Sequence, residues 1–122
     1  MEYFTQKLDN GNIIEYQIVD GTYYHKQTPQ DLIKVLEHNR NTHTRIKIYY
    51  GDVKTGKAWG DVETGYIGRS TGDVKIPLVV YNSRALGGGA LLDHCIVKIE
   101  VANKKRAGVG YYYSGVLYDI TQ

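Results

Sequence analysis

"YFTQKLDNGNIIEYQIVDGTYYHKQTPQDLIKVLEHN", residues 3–39, decides the fold class of this chain. Two strand-like runs, residues 3–8 and 13–19, flank Asp9-Asn10-Gly11-Asn12. Asn-Gly tolerates the positive φ angles of a tight hairpin turn, so the two runs are expected to pair antiparallel. Asp20-Gly21 repeats that chemistry and leads into a short third strand, residues 22–26. The period of the pattern then changes. Thr28 is placed to cap a helix, Pro29 suits the first helical position, and Asp31 falls near the positive end of the helix dipole. Leu32, Ile33, Val35 and Leu36 supply an apolar stripe that gives out at Asn39 to Asn41, predicting a helix over about residues 29–40.

Beyond the helix the pattern reads as strand again. Arg45-Ile46-Lys47-Ile48-Tyr49-Tyr50 alternates in polarity, and residues 51–57 read as a loop with Trp59 on its far side. Val74, Ile76, Leu78 and Val80 share one face of the next strand; Lys75, Pro77, Val79 and Tyr81 share the other. Pro77 has no N–H to donate, which puts that strand at an edge or at a bulge. Residues 91–101 read as a strand with Cys95, Val97, Ile99 and Val101 inward, and Lys98 and Glu100 outward. Asn103-Lys104-Lys105-Arg106 then reads as a basic turn before a last strand, residues 110–120. The expected class is α+β: a mostly antiparallel β-sheet with one helix packed on it, a β-rich C-terminal half, and a single domain over residues 1–122.

The chain has 122 residues, 15 Lys+Arg against 13 Asp+Glu, a net charge of +2 and a pI near 8.6. This mild balance argues against long nucleic acid as a partner, because a polyanion binder concentrates Lys and Arg. The single cysteine, Cys95, excludes an intramolecular disulfide and points to a reducing compartment. Residues 1–12 carry no basic segment followed by a long apolar one, and the longest apolar run, residues 76–81, contains Pro77, so neither a secretory signal nor a membrane span is expected. Twelve tyrosines stand against one Phe and one Trp, with doublets at Tyr23-Tyr24 and Tyr49-Tyr50 and a triplet at Tyr111-Tyr112-Tyr113. A ring with a hydroxyl tip suits a subunit interface or a base-stacking pocket, and also serves as a plain strand former. With a small core, the tyrosine excess points to a homo-oligomer.

Enzyme signatures are sparse. Asp93-His94-Cys95 pairs a nucleophile with a base, but in a strand His94 points away from both neighbours, and Cys95 reads as a buried thiol among Val97 and Ile99. Of His25, His38, His43 and His94, only His38 and His43 are close in sequence, and they do not form a ligand motif. No Walker-type lysine loop is present, and no helix pattern follows Gly87-Gly88-Gly89. No metal, cofactor or catalytic residue is therefore expected.

Two loops carry the chemistry that remains. Gly68-Arg69-Ser70-Thr71-Gly72 supplies a cation, two hydroxyls and glycines that let backbone N–H groups turn toward one point, the makings of an anion nest or of a plain turn. Asn82-Ser83-Arg84-Ala85-Leu86-Gly87-Gly88-Gly89 repeats the recipe after the next strand, with Tyr81 and Asn82 offering a stacking face and an amide edge to a base. If the strand between them runs over residues 72–80, Arg69 and Tyr81 stand about 30 Å apart at roughly 3.3 Å per residue, which implies two pockets or loops meeting between subunits.

"GRSTGDVKIPLVVYNSRALGGGALLDHCIVKIE", residues 68–100, resembles the phage Thoeris anti-defence family, the first described of the phage signal-sequestering sponge proteins. Chain length, the Asn-Gly hairpin, the single helix and "YYGD" at residues 49–52 agree with the resemblance, which covers nearly the whole chain. It implies a non-enzymatic protein that binds a cyclic ADP-ribose isomer in the cytoplasm of the infected bacterial host and holds it uncleaved. It also implies a homohexamer and a second pocket for cyclic oligonucleotides. By the same likeness Tyr81, Asn82, Ser83, Arg84 and Arg106 would line the cyclic ADP-ribose pocket, and Arg69, Ser70, Thr71 and Gly72 would meet phosphates. Two readings from other classes stand beside it: a hydrolase of the same signal, and a protein-binding inhibitor without a small ligand.

Overall fold

The computed structural model describes residues 2–68, 78–81, 91–106 and 110–121. It is α+β, with a three-stranded sheet ordered β1-β2-β3 and a five-stranded sheet ordered β6-β5-β4-β7-β8. The strands are β1 (Glu2–Lys7), β2 (Ile13–Val19), β3 (Thr22–His25), β4 (Ile46–Asp52), β5 (Lys57–Gly68), β6 (Val79–Tyr81), β7 (Ile96–Arg106) and β8 (Gly110–Asp119). Every described pairing is antiparallel.

Both predicted turns form for the expected reason. Gly11 sits at φ 87° in the β1–β2 turn, where Gly11 N–H donates to Leu8 O and Asn10 Oδ1 accepts from Asn12 N–H at 3.0 Å. Asp20 and Gly21 both take positive φ, 50° and 77°, the twist that suits a tight hairpin. Helix α1 spans Gln30–Asn39 and buries Leu32, Ile33, Leu36 and Asn39. Its apolar stripe shares one core with Ile46, Ile48 and Tyr50 of β4, Ile67 of β5, Val80 of β6, Ile99 of β7 and Tyr118 of β8. Each fully buried Leu or Ile contributes roughly 1.5–3 kcal/mol, which is how the helix stays on the sheet. Tyr24 of β3 enters the same core and hydrogen-bonds Glu37 of α1, so the small sheet is joined to the helix.

Four expectations need correction. Thr28 is not the helix cap: Pro29 takes that position with no side-chain cap bond, and the buried Thr28 hydroxyl donates to Asp93 Oδ2 at 2.6 Å. Residues 93–95 are a 3₁₀ turn rather than strand, closed by Cys95 N–H to Leu92 O at 2.9 Å, and β7 starts at Ile96. Residues 103–106 are not a turn. They continue β7, with Lys104 opposite Tyr112, Lys105 opposite Tyr111 and Arg106 opposite Gly110. The tyrosine triplet gives β7 a run of strong strand formers to pair with, which prevails over the turn tendency of Asn103. Finally, the loop expected over residues 51–57 is shorter, since Gly51 and Asp52 end β4 and Lys57 opens β5, on which Trp59 lies more than half exposed. The expected edge position is seen where β6 is described, since β6 closes one side of the large sheet; Pro77 lies outside the described residues.

Candidate functional site

Register places the residues that border the two Arg- and Ser-bearing segments. Tyr66 pairs with Tyr81, Ile67 with Val80, and Gly68 with Val79. Gly68 directly precedes Arg69, and Tyr81 directly precedes Asn82, so the described residues that border the two segments both lie on the β5–β6 pair. Gly68 lies two strand positions from the level of Tyr81, about 7 Å at the rise of a strand, and the spacing of about 30 Å expected for this segment does not hold. Arg69, Ser70, Thr71, Gly72, Asn82, Ser83 and Arg84 lie outside the described residues. Arg106 ends β7, which is separated from β6 by β4 and β5. Adjacent strands are about 4.8 Å apart, so the backbones of Tyr81 and Arg106 are at least about 14 Å apart across the sheet, and further along it. Of the sequence-predicted residues that are described, Tyr81 thus lies on the edge strand and Arg106 three strands away.

A second constellation arises where the two sheets meet. Gln17 of β2 is buried, and its Nε2 donates to the carbonyls of His25, Lys26 and Thr28 at 3.1–3.2 Å, while its Oε1 accepts from Gln30. That amide fixes the path of the chain from β3 into α1. On this path His25 and Thr28 meet Asp93, which is fully buried in the 3₁₀ turn. Asp93 Oδ2 accepts from the His25 backbone N–H at 2.9 Å and the Thr28 hydroxyl at 2.6 Å; Asp93 Oδ1 faces His25 Nδ1 at 2.6 Å. His94 Nδ1 stands 3.8 Å from the same Oδ1, is buried, and has no hydrogen-bond partner. The two imidazole rings lie 4.1 Å apart, centre to centre.

Burial alone would push the Asp93 carboxyl up. The hydrogen bonds of His25 and Thr28 and the neighbouring His94 ring outweigh it and hold the acid well below the usual carboxylate range. An ionised carboxylate only accepts, so His25 Nδ1 must carry the proton between them, and in the neutral ring Nε2 bears the lone pair. Cys95 goes the other way. Partial burial and then the Asp93 charge push its thiol up, which disfavours the thiolate a nucleophile needs.

His25 and His94 line a cleft of about 550 Å³ together with Ile13, Ile14, Glu15 and Gln27. His25, Asp93 and His94 each bring a ligating atom within 4.8 Å of the others. The expectation that His94 turns away from Asp93 is therefore incorrect, because the tight 3₁₀ turn draws adjacent side chains together where a strand would separate them. His38 and His43, the neighbours in sequence, take no part; the His43 ring packs on Tyr66 at 5.7 Å. No helix among the described residues is long and apolar enough to cross a membrane. Neither a family model, a curated protein nor a solved structure matches this chain.

Proposed function

We propose that the chain is a phage anti-defence protein that binds a small cyclic nucleotide signal of the cyclic ADP-ribose class and sequesters it uncleaved, as a homo-oligomer in the cytoplasm of the infected host. The observation that carries the reading is the β5–β6 register, which sets the starts of two Arg-, Ser- and Gly-bearing segments beside one three-residue edge strand. That spacing suits the phosphates and base of one small nucleotide, for which Arg69, Ser70 and Thr71, next in sequence after Gly68, and Asn82, Ser83 and Arg84, next after Tyr81, have the right chemistry. In this reading Arg106 joins the pocket from a second subunit, which is supported by the two strands, β4 and β5, that stand between β6 and β7 within one chain. Closure between subunits removes most of the ligand surface from water, which favours the tight binding a sponge needs to out-compete a receptor, nanomolar or about −12 kcal/mol. A separate pocket for cyclic oligonucleotides rests on the sequence resemblance, not on distance within the sheet.

The hydrolase reading draws on the Asp93–His25 pair beside its cleft. Native mass spectrometry with and without cyclic ADP-ribose isomers separates the cases. Sequestration predicts a ligand-bound oligomer that releases intact ligand on heat denaturation. Recovery of a cleaved product would establish the hydrolase, and no mass increase with no melting shift would leave the protein-binding inhibitor.

A further inference from the structure

We propose that His25, Asp93 and His94 form a binding site for a divalent transition-metal ion of the zinc class, with solvent or a donor from the adjoining cleft as fourth ligand. Two imidazoles and a carboxylate are donors that suit zinc and its borderline neighbours, whereas magnesium and calcium prefer oxygen alone. Zinc bonds of about 2.0–2.2 Å put tetrahedral ligand atoms about 3.3 Å from one another. The two separations to Asp93 Oδ1, 2.6 Å from His25 Nδ1 and 3.8 Å from His94 Nδ1, bracket that value. Small rotations of the two rings, each with some exposure, bring both to it. The ion takes the place of the proton now held between His25 Nδ1 and Asp93 Oδ1; that proton leaves to solvent while Nε2 takes one up, so His25 binds as a neutral imidazole.

Two further observations point to a ligand. His94 Nδ1 is buried without a hydrogen-bond partner, and a buried polar atom left so is costly unless something else satisfies it. Asp93 is already oriented through its other oxygen, which holds the His25 N–H and the Thr28 hydroxyl and leaves Oδ1 toward the rings. Metal-binding carboxylates are commonly fixed in this way by outer hydrogen bonds. His25 and His94 both line the cleft, which gives the ion a path in and room for the fourth ligand. The site would clip the end of β3 to the 3₁₀ turn, two segments 68 residues apart, independently of any nucleotide.

Chelator-treated protein titrated with Zn2+ by calorimetry tests the site, with Mg2+ as comparison and visible absorption of the Co2+ form as a report on tetrahedral geometry. The expected result is one Zn2+ per chain, no Mg2+ uptake, and a rise in Tm on zinc addition. His94→Gln is expected to fold with the melting temperature of the metal-free protein, because its Nδ1 makes no hydrogen bond, and to bind Zn2+ at least tenfold more weakly. His25→Gln is expected to lose binding as well. No zinc uptake by the folded chain, or an affinity unchanged in His94→Gln, would overturn the site.

Discussion

Asp93 grips His25 twice, through the backbone N–H at 2.9 Å and through the ring at 2.6 Å, across 68 residues of sequence. Since His25 ends β3 and Asp93 opens the turn before β7, this pair fastens the small sheet to the large one at a point where no strand ladder does. The carboxylate needs that company. Fully buried and ionised, it would be strongly destabilising without donors on both oxygens.

Thr28 is one of those donors, which sets a sharp expectation for its removal. Thr28→Val keeps the volume but deletes a hydrogen bond to a charged group, costing about 1.5–3 kcal/mol of stability. In a double-mutant cycle with Asp93→Asn the two changes are expected to couple strongly, because they share the bond. Urea unfolding of the four proteins reads the coupling. A value near zero would mean that Thr28 acts on the helix alone.

Gly51 marks the irregular pairing in β4, where the register shifts against β5. A Cβ there would meet Lys57 O at 2.3 Å and Ala58 Cα at 2.8 Å, both backbone atoms that cannot swing away. Gly51→Ala is therefore expected to cost about 3 kcal/mol or more, the upper end for overpacking. Gly60→Ala serves as comparison. Its Cβ would meet nothing within 4 Å, so only the strain of φ +98° remains, about 1–2 kcal/mol. Similar denaturation midpoints for the two variants would refute the close-approach account.

What was legible in the sequence was local. Asn10-Gly11, Asp20-Gly21 and the change of period at Pro29 each act over a few residues, and each produced the element expected. Thr28 and Asp93 were misread because each is controlled by the other, 65 positions away. Thr28 has good capping chemistry, but a buried carboxylate competes for its hydroxyl and prevails. The histidine site was hidden for a related reason. A search for ligand spacing sees His38 and His43, whereas His25 and His94 meet only through the fold. One signal was available: Asp93 stands in "LLDHCIV", and a carboxylate in so apolar a stretch implies burial with dedicated partners.

Two tyrosines make stability sensitive to alkali. Burial first, then the bond to Glu37, pushes the Tyr24 phenol far above its ordinary value of 10.0; burial and Glu63, 2.5 Å from the hydroxyl, do the same for Tyr50. The folded state thus keeps protons that the unfolded state releases above pH 10, so stability falls as pH rises past that point. Chemical denaturation between about pH 8 and 11 should show this decline. Tyr24→Phe and Tyr50→Phe should each flatten it, while lowering stability at neutral pH by removing a hydrogen bond. A decline as steep in both variants as in the parent would assign it to other groups.

The last expectation follows from the strand order β6-β5-β4-β7-β8, which keeps Tyr81 and Arg106 apart within one chain. If both line the proposed nucleotide pocket, each pocket takes Tyr81 from one subunit and Arg106 from another. Tyr81→Ala and Arg106→Ala should each weaken cyclic ADP-ribose binding, roughly ten- to a hundredfold for the lost phosphate contact of Arg106. Neither variant chain carries both residues, so a pocket built within one chain stays defective in any mixture. A pocket shared between chains behaves differently. In oligomers assembled from equal amounts of the two variants, roughly a quarter of the pockets draw Tyr81 and Arg106 from the chains that retain them. Calorimetry on the co-refolded mixture should therefore recover parental affinity at that fraction of sites. Absence of any tight component, in oligomers shown by native mass spectrometry to contain both variants, would exclude the shared pocket.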